Sequence, residues 1–317
     1  MRTVLAGDLG GTKCRFALVT ADYGVHCVER IETVREREPF LQRMAEAVGR
    51  VLARARECDD LDEPCAFGIG AAGVVDKAGA ELGDPPNLPL GGFGLTAWCE
   101  RQFALPVTLL NDGRASAWGE FLRGHAAGRD PLLCLFFGTG IGIGLIADGK
   151  PFRGGSNAAG EIGHTVYRPG GRVCPCGGRG HFEAYCGGRA MVERAAEELA
   201  GAPTGGGHRA PWTVDDLVRC AGEEGERGAI ARGILEDAGV AACTLIANAT
   251  MVFNPNAIVL GGGVLSGWPE LRQRLARHVR ETTDPIYHRD LTFADSMGGS
   301  DAILWGAAAA TGALWTA

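Results

Sequence analysis

Several groups of residues in this chain have types and spacings suited to chemistry. The first is Asp8-Leu9-Gly10-Gly11-Thr12-Lys13. Glycines in a tight turn let backbone N–H groups approach a phosphate with no Cβ in the way. Thr12 can add a hydroxyl donor, and Asp8 can reach Mg²⁺ through water. A plain Gly-Gly hairpin is the competing reading. The Walker spacing ending in Gly-Lys-Ser/Thr is absent, so this is not a P-loop. The second group is Phe137 to Gly144, with Gly138, Thr139, Gly140, Ile141 and Gly142 at its turn. A dinucleotide fingerprint needs a helix straight after the glycines. A second apolar strand follows instead, which excludes a Rossmann site. Paired with the first turn, it makes a two-sided phosphate clamp. A third turn, Gly261-Gly262-Gly263, fits either a passage under adenine and ribose or a plain strand-to-helix turn.

Asn111-Asp112 ends an apolar strand pattern. A carboxylate there can accept the proton of an attacking alcohol, a contribution of roughly 10²–10⁴ in rate. It can equally be a helix N-cap, through Asp112 or Ser116, and the residues alone favour the cap. The most specific group is His164, Cys174, Cys176 and His181 in a glycine-rich stretch. Two thiolates and two imidazoles at short spacing fit a tetrahedral Zn²⁺ site with no open position, hence a structural one. Cys186 is a possible substitute ligand. Glu161 and Glu183 flank this group and could accept hydrogen bonds from sugar hydroxyls.

These residues need elements to hold them. Residues 3–19 read as a β-hairpin around the first turn. Helical spacing of apolar residues marks 39–57, and Cys65–Gly70 reads as a buried strand. A Pro- and Gly-rich loop spans 84–94. Val107–Leu110 is a short strand, with a helix over 115–123. Strand, glycine turn and strand recur over 132–147, which suggests duplicated halves. Residues 150–188 are loop-rich. Helices follow at 189–200, 213–221, 226–253 and 269–281, with a strand at 257–260 and a closing helix at about 301–315.

The chain has 317 residues, a prior of two domains. Its 50 glycines show no collagen period, so they serve turns and ligand approach. A formal charge of −7 argues against a nucleic-acid surface. No secretory leader pattern opens the sequence and no apolar run is long enough to span a membrane, so the expectation is a cytoplasmic protein without a membrane partner. Eleven cysteines, in a reducing compartment, read as free thiols and metal ligands rather than disulfides.

The motifs AGDLGGTK (6–13), ND (111–112), FGTGIGIG (137–144), AGEIGH (159–164), CPCGGRGHFE (174–183) and LGGG (260–263) resemble those of the ROK family, in order and spacing, over nearly the whole chain. The resemblance implies an α/β, actin-like ATPase (ribonuclease H-like) fold of two lobes with ATP and sugar in the interlobe cleft. It implies a small lobe over 1–113, completed by a C-terminal helix at 301–317, and a larger lobe over 114–300. Asp112 would be the catalytic base. Gly73, Asn87, Asn111, Glu161, His164 and Glu183 would bind the sugar, and His164 would also ligate zinc. The first two glycine turns would hold ATP phosphates with Mg²⁺, and the protein would be a homodimer.

Two departures stand out. His181 replaces the family's third zinc cysteine, which predicts a two-Cys, two-His site. Gly113-Arg114 replaces the usual Ala-Asn beside the base. The implied activity is phosphorylation of a hexose 6-hydroxyl, glucose first, with N-acetylglucosamine, N-acetylmannosamine, mannose and fructose as alternatives. A sugar-responsive repressor of the family would carry a helix-turn-helix before the first turn, which begins here within ten residues. Other actin-like ATPases lack the Cys/His loop.

Overall fold

A computed structural model describes residues 1–83, 85, 88–199 and 212–314. Asn87 and the ends of two expected helices, at 200 and 315, lie outside the described residues. In chain order the elements are β1 (Thr3–Leu9), β2 (Lys13–Thr20), β3 (Val25–Glu32), α1 (Arg37–Arg56), β4 (Phe67–Ala71), α2 (Leu95–Phe103), β5 (Val107–Asn111) and α3 (Asp112–Arg123). Then come β6 (Leu132–Phe137), β7 (Ile141–Ala147), β8 (Lys150–Pro151), a 3-10 turn (Ile162–His164), α4 (Glu183–Cys186), α5 (Gly188–Leu199), α6 (Val214–Ala221) and α7 (Glu226–Phe253). The chain continues through β9 (Ala257–Gly261), α8 (Gly263–Gly267), α9 (Pro269–Thr282), α10 (Pro285–His288), β10 (Thr292–Asp295) and α11 (Asp301–Ala310).

One sheet orders β3-β2-β1-β4-β5 and the other β10-β9-β6-β7-β8. Read from the other edge, the second repeats the first: third, second, first, fourth, fifth strand of its set. The duplication suggested by the two glycine turns is therefore present in topology. The expected elements form, with three kinds of difference. Edge strands β3 and β10 were not anticipated. Charged residues such as Glu29, Arg30 and Asp295 break their apolar alternation, as is usual where an edge must not pair with another chain. Short α2, α8 and α10 bury two apolar residues or fewer each, too few to show a period. The last helix stops at Ala310 rather than 315, before Gly312 at φ +68°.

Two compact units result: Met1–Cys134 with Gly144–Gly160 and Ser296–Ala317, and Leu135–Ile143 with Glu161–Asp295. The first unit thus includes α3, beyond the 113/114 boundary read from the sequence. Its reason is packing against α11. A Cβ at Gly119 would lie 2.1 Å from Ala302 O, and one at Gly306 would lie 1.8 Å from Ala115 O. Only glycine allows backbones so close. The first sheet buries both faces. Leu5, Leu9 and Phe16 point to α1, whereas Val4, Ala6 and Ala17 join Ala302, Leu304 and Trp305 of α11. That alternation is the period of two that a strand imposes. In the second unit, α7 buries fourteen residues along its length, many of them alanine. Among the described residues no helix is long and apolar enough to cross a membrane.

Candidate active site and metal centre

In the first unit, three neighbouring strands deliver the residues singled out by sequence. β1 and β4 are parallel with Leu9 opposite Ala71, and β4 and β5 are parallel with Ala71 opposite Asn111. The first glycine turn, the Gly73 loop and Asn111-Asp112 therefore leave one edge of the sheet together. Carboxyl ends of parallel strands are where open α/β sheets bind ligands.

The turn is held from behind. Gly10 N donates to Lys13 O at 3.2 Å, and Gly10 O accepts from Thr33 Oγ1 at 2.7 Å. Leu9 gives only its backbone, since its side chain is wholly buried in the core. Lys13 is exposed at the start of β2. Asp8 is half-buried, and its carboxyl is pushed up to about 7, by loss of solvent first and then by the charge of Asp112, against the pull of Arg15. Two carboxyl groups thus share this edge.

Asn111, not Asp112, is the N-cap of α3: its side chain accepts from Arg114 N at 3.1 Å. This removes the cap reading from Asp112. Asp112 opens the helix, with Oδ1 accepting from Gly113 N at 2.8 Å and from Asn111 Nδ2 at 3.0 Å. Asn111 Nδ2 also reaches Gly73 O at 3.1 Å. Gly73 sits at φ +121°, and a Cβ there would be 2.9 Å from Pro85 Cβ, so glycine is needed on both counts.

In the second unit, His164, Cys174, Cys176 and His181 converge, with one ligand atom of each lying within 4.8 Å of the others. Cys174 Sγ is 3.6 Å from His164 Nδ1, and Cys176 Sγ is 3.2 Å from His181 Nδ1. The S–N edge of a zinc tetrahedron is about 3.6 Å, given Zn–S near 2.3 Å and Zn–N near 2.0–2.1 Å. The donor set fits such an ion. Burial pushes the Cys174 thiol up to about 11, so a metal would have to displace its proton. Cys186 is not a substitute ligand. It is buried on α4 with its thiol donating to Phe182 O.

Three hydrogen bonds tie the segment after this loop to the second glycine turn. Glu183 Oε2 accepts from Ile141 N at 2.8 Å. Gly188 N and Arg189 N donate to Gly138 O and Thr139 O, both at 2.9 Å. The Ile141 amide is thereby engaged by Glu183, and its side chain is buried. Glu161 is half-exposed, with Oε2 3.8 Å from His164 Nε2. Gly262 precedes α8 at φ +99°, where a Cβ would meet Phe137 O at 2.3 Å. The third turn is a strand-to-helix turn, with Gly261 ending β9 and Gly263 opening α8. Sequence reasoning missed Asn157, described below; its neighbours in the chain carry no periodic or cap signal.

The ROK family pattern matches residues 4–311. A glucokinase of Aeropyrum pernix is 33% identical over 322 residues, covering 94% of each chain. An N-acetylmannosamine kinase of Salmonella typhi is 30% identical over 269 residues, covering 83% of each. Among solved structures, a ROK glucokinase from Streptomyces griseus, in complex with glucose and AMPPNP, superposes with a TM-score of 0.81 at 27% identity, covering 97% of this chain and 98% of that one. The fold is accordingly the actin-like ATPase fold that the motifs implied. This chain belongs to the ROK family.

Proposed function

We propose that the protein is an ATP-dependent sugar kinase that phosphorylates the 6-hydroxyl of a hexose, with glucose as first substrate. The carrying observation is the shared sheet edge. It sets a glycine turn, the Gly73 loop and the Asp112 carboxyl side by side. The kinase relatives and the glucose complex of a neighbour support the same reading.

In this mechanism the sugar hydroxyl attacks the γ-phosphorus, its proton passes to Asp112, and ADP leaves. Asn111 and Gly113 hold one carboxylate oxygen in place for that transfer. In the first two glycine turns the backbone N–H groups of Gly11, Thr12, Thr139 and Gly140 hold phosphates, Gly10, Gly138 and Ile141 being bonded within the protein, and Gly261 to Gly263 border the nucleotide. Mg²⁺ would neutralise phosphate charge, with Asp8 the nearest candidate to hold it through water. Such enzymes act through position and charge rather than covalent chemistry. Asn111, Glu161, His164 and Glu183 bind sugar hydroxyls. His164, Cys174, Cys176 and His181 would hold a structural Zn²⁺, which would cross-link the loop that carries them. With Nδ1 turned to the cysteines, His164 keeps Nε2 for the Glu161 side.

The test is coupled ADP release across glucose, N-acetylglucosamine, N-acetylmannosamine, mannose and fructose. Hexose-dependent turnover, highest in kcat/KM for glucose, is expected. ADP release indifferent to every sugar would remove the kinase reading, and a preference for an N-acetylhexosamine would replace the substrate.

A further inference from the structure

Arg114, half of the Gly113-Arg114 pair singled out in the sequence, is only 3% exposed. A buried guanidinium is costly unless it is paired or hydrogen-bonded. Here both terminal nitrogens grip one residue: Nη1 donates to Asn157 Oδ1, and Nη2 donates to Asn157 O at 2.7 Å. Asn157 is itself buried and sits at φ +62°, a conformation that side chains other than glycine and asparagine rarely adopt. Its Nδ2 donates onward to Val75 O at 3.2 Å and Asp76 O at 2.8 Å. Val75 and Asp76 follow Gly73, whose carbonyl accepts from Asn111, and Asn111 in turn caps Arg114 N. The contacts close a ring: Asn111, Gly73, Val75–Asp76, Asn157, Arg114, and back to Asn111. Asp112 is the residue inside it in sequence and is hydrogen-bonded to its Asn111 member.

We propose that Arg114 and Asn157 are positioning residues for the hexose: their two-pronged clamp fixes the Gly73–Asp76 segment against the start of α3 and so sets the wall beside Asp112. The inference rests on the sugar-kinase reading above. Neither residue needs to touch substrate. A guanidinium fork reaches a side-chain and a main-chain oxygen at once, which an ammonium point charge does not. The clamp also explains how an asparagine with left-handed backbone is retained, since its side chain is satisfied on both ends.

The experiment compares wild type with Arg114→Met, Arg114→Lys and Asn157→Gly. Glycine accepts φ +62° freely, so Asn157→Gly removes, without backbone strain, the Nη1 prong and both bonds to Val75 and Asp76, leaving only Nη2 on the main-chain oxygen; it decides the matter if an Arg114 variant does not fold. Steady-state constants for glucose and for ATP are measured separately. Backbone hydrogen exchange is followed over residues 74–79. Misplacement of a pocket wall by about 1 Å costs up to ~100-fold, so hexose kcat/KM should fall about 10- to 100-fold in all three variants. The KM for ATP should move less than twofold, and exchange at 74–79 should quicken. A merely structural role would lower Tm and leave the hexose constants alone. Hexose kcat/KM within twofold of wild type in Asn157→Gly and Arg114→Met overturns the clamp. Full recovery by Arg114→Lys overturns the fork geometry. A wild-type protein with no hexose-dependent ADP release fails earlier and separately, taking the kinase reading with it.

Discussion

The carboxyl of Asp112 and the imidazole of His164 are set in place by opposite means. Asp112 sits at the end of a strand in a five-stranded sheet, at the start of a helix pressed by glycine onto another helix. Its position follows from burial and backbone pairing. His164 sits on a single 3-10 turn in a stretch with few regular elements, where Val166, Val173 and Cys176 are all exposed. No sheet fixes that loop. Tyr167 stacks on Phe182 and meets Tyr185 edge-on, and single bridges join Val166 to His181 and Val173 to Arg179. The four candidate ligands meet at one point beside these contacts. One half of the proposed chemistry is therefore held by a sheet, and the other by a small aromatic cluster to which the proposed metal would add a cross-link.

Metal removal should expose the contrast most strongly. Structural zinc contributes about 10–16 kcal/mol in small peptides. Chelation, or Cys174→Ser, should make the 164–182 loop sensitive to protease and raise KM for the hexose at least about tenfold. Backbone exchange in β1, β4 and β5 should stay slow. A loop equally protected without metal would break the comparison. Metal analysis of the untreated protein should find about one zinc per chain.

On the other side, Asp112→Asn should lower kcat by about 10²–10⁴ while hexose affinity persists, since the amide keeps the shape and loses the basicity. Binding by calorimetry beside turnover would separate the two. Undiminished turnover would take the proton from some other group.

The half-buried Asp8 gives a pH signature. Its carboxyl titrates at about 7 in the fold against an ordinary value of 3.8. Between those values the folded protein keeps a proton that the unfolded chain has lost. Stability from this residue therefore falls as pH rises from about 4 to about 7, and stays low above that. Asp8→Asn should stabilise the ligand-free protein at pH 8, by up to ~4 kcal/mol, and the gain should vanish towards pH 4. Equal melting shifts at both pH values would contradict the burial. The smallest effect belongs to helix packing. Gly306→Ala places a methyl against Ala115 O and should cost about 1–3 kcal/mol by denaturant melts, with a parallel loss of kcat.

Much of this arrangement was legible in the chain. Glycine turns, the Asn111-Asp112 pair and the Cys/His quartet announce themselves because each needs particular residue types at short spacing. The apolar periods of α1, α7 and the inner strands follow from burial. What was hidden depends on contacts distant in sequence. The cap of α3 could be assigned to Asp112 or Ser116 from residues alone, but the backbone gives it to Asn111. Asn157 looks like any loop asparagine until Arg114, forty-three residues earlier, reaches it. The α3–α11 contact, made by Gly119 and Gly306, has no local signature either, since a glycine in a helix reads simply as a weak helix former.

That last contact has a consequence for how the protein is made. The helix that seats Asp112 and Arg114 is synthesised long before α11, the surface it rests on. Until α11 emerges, the nascent chain carries α3 with an apolar, alanine-lined face open to water. Chains normally fold domain by domain as they emerge, but this unit closes only once α11 has been made.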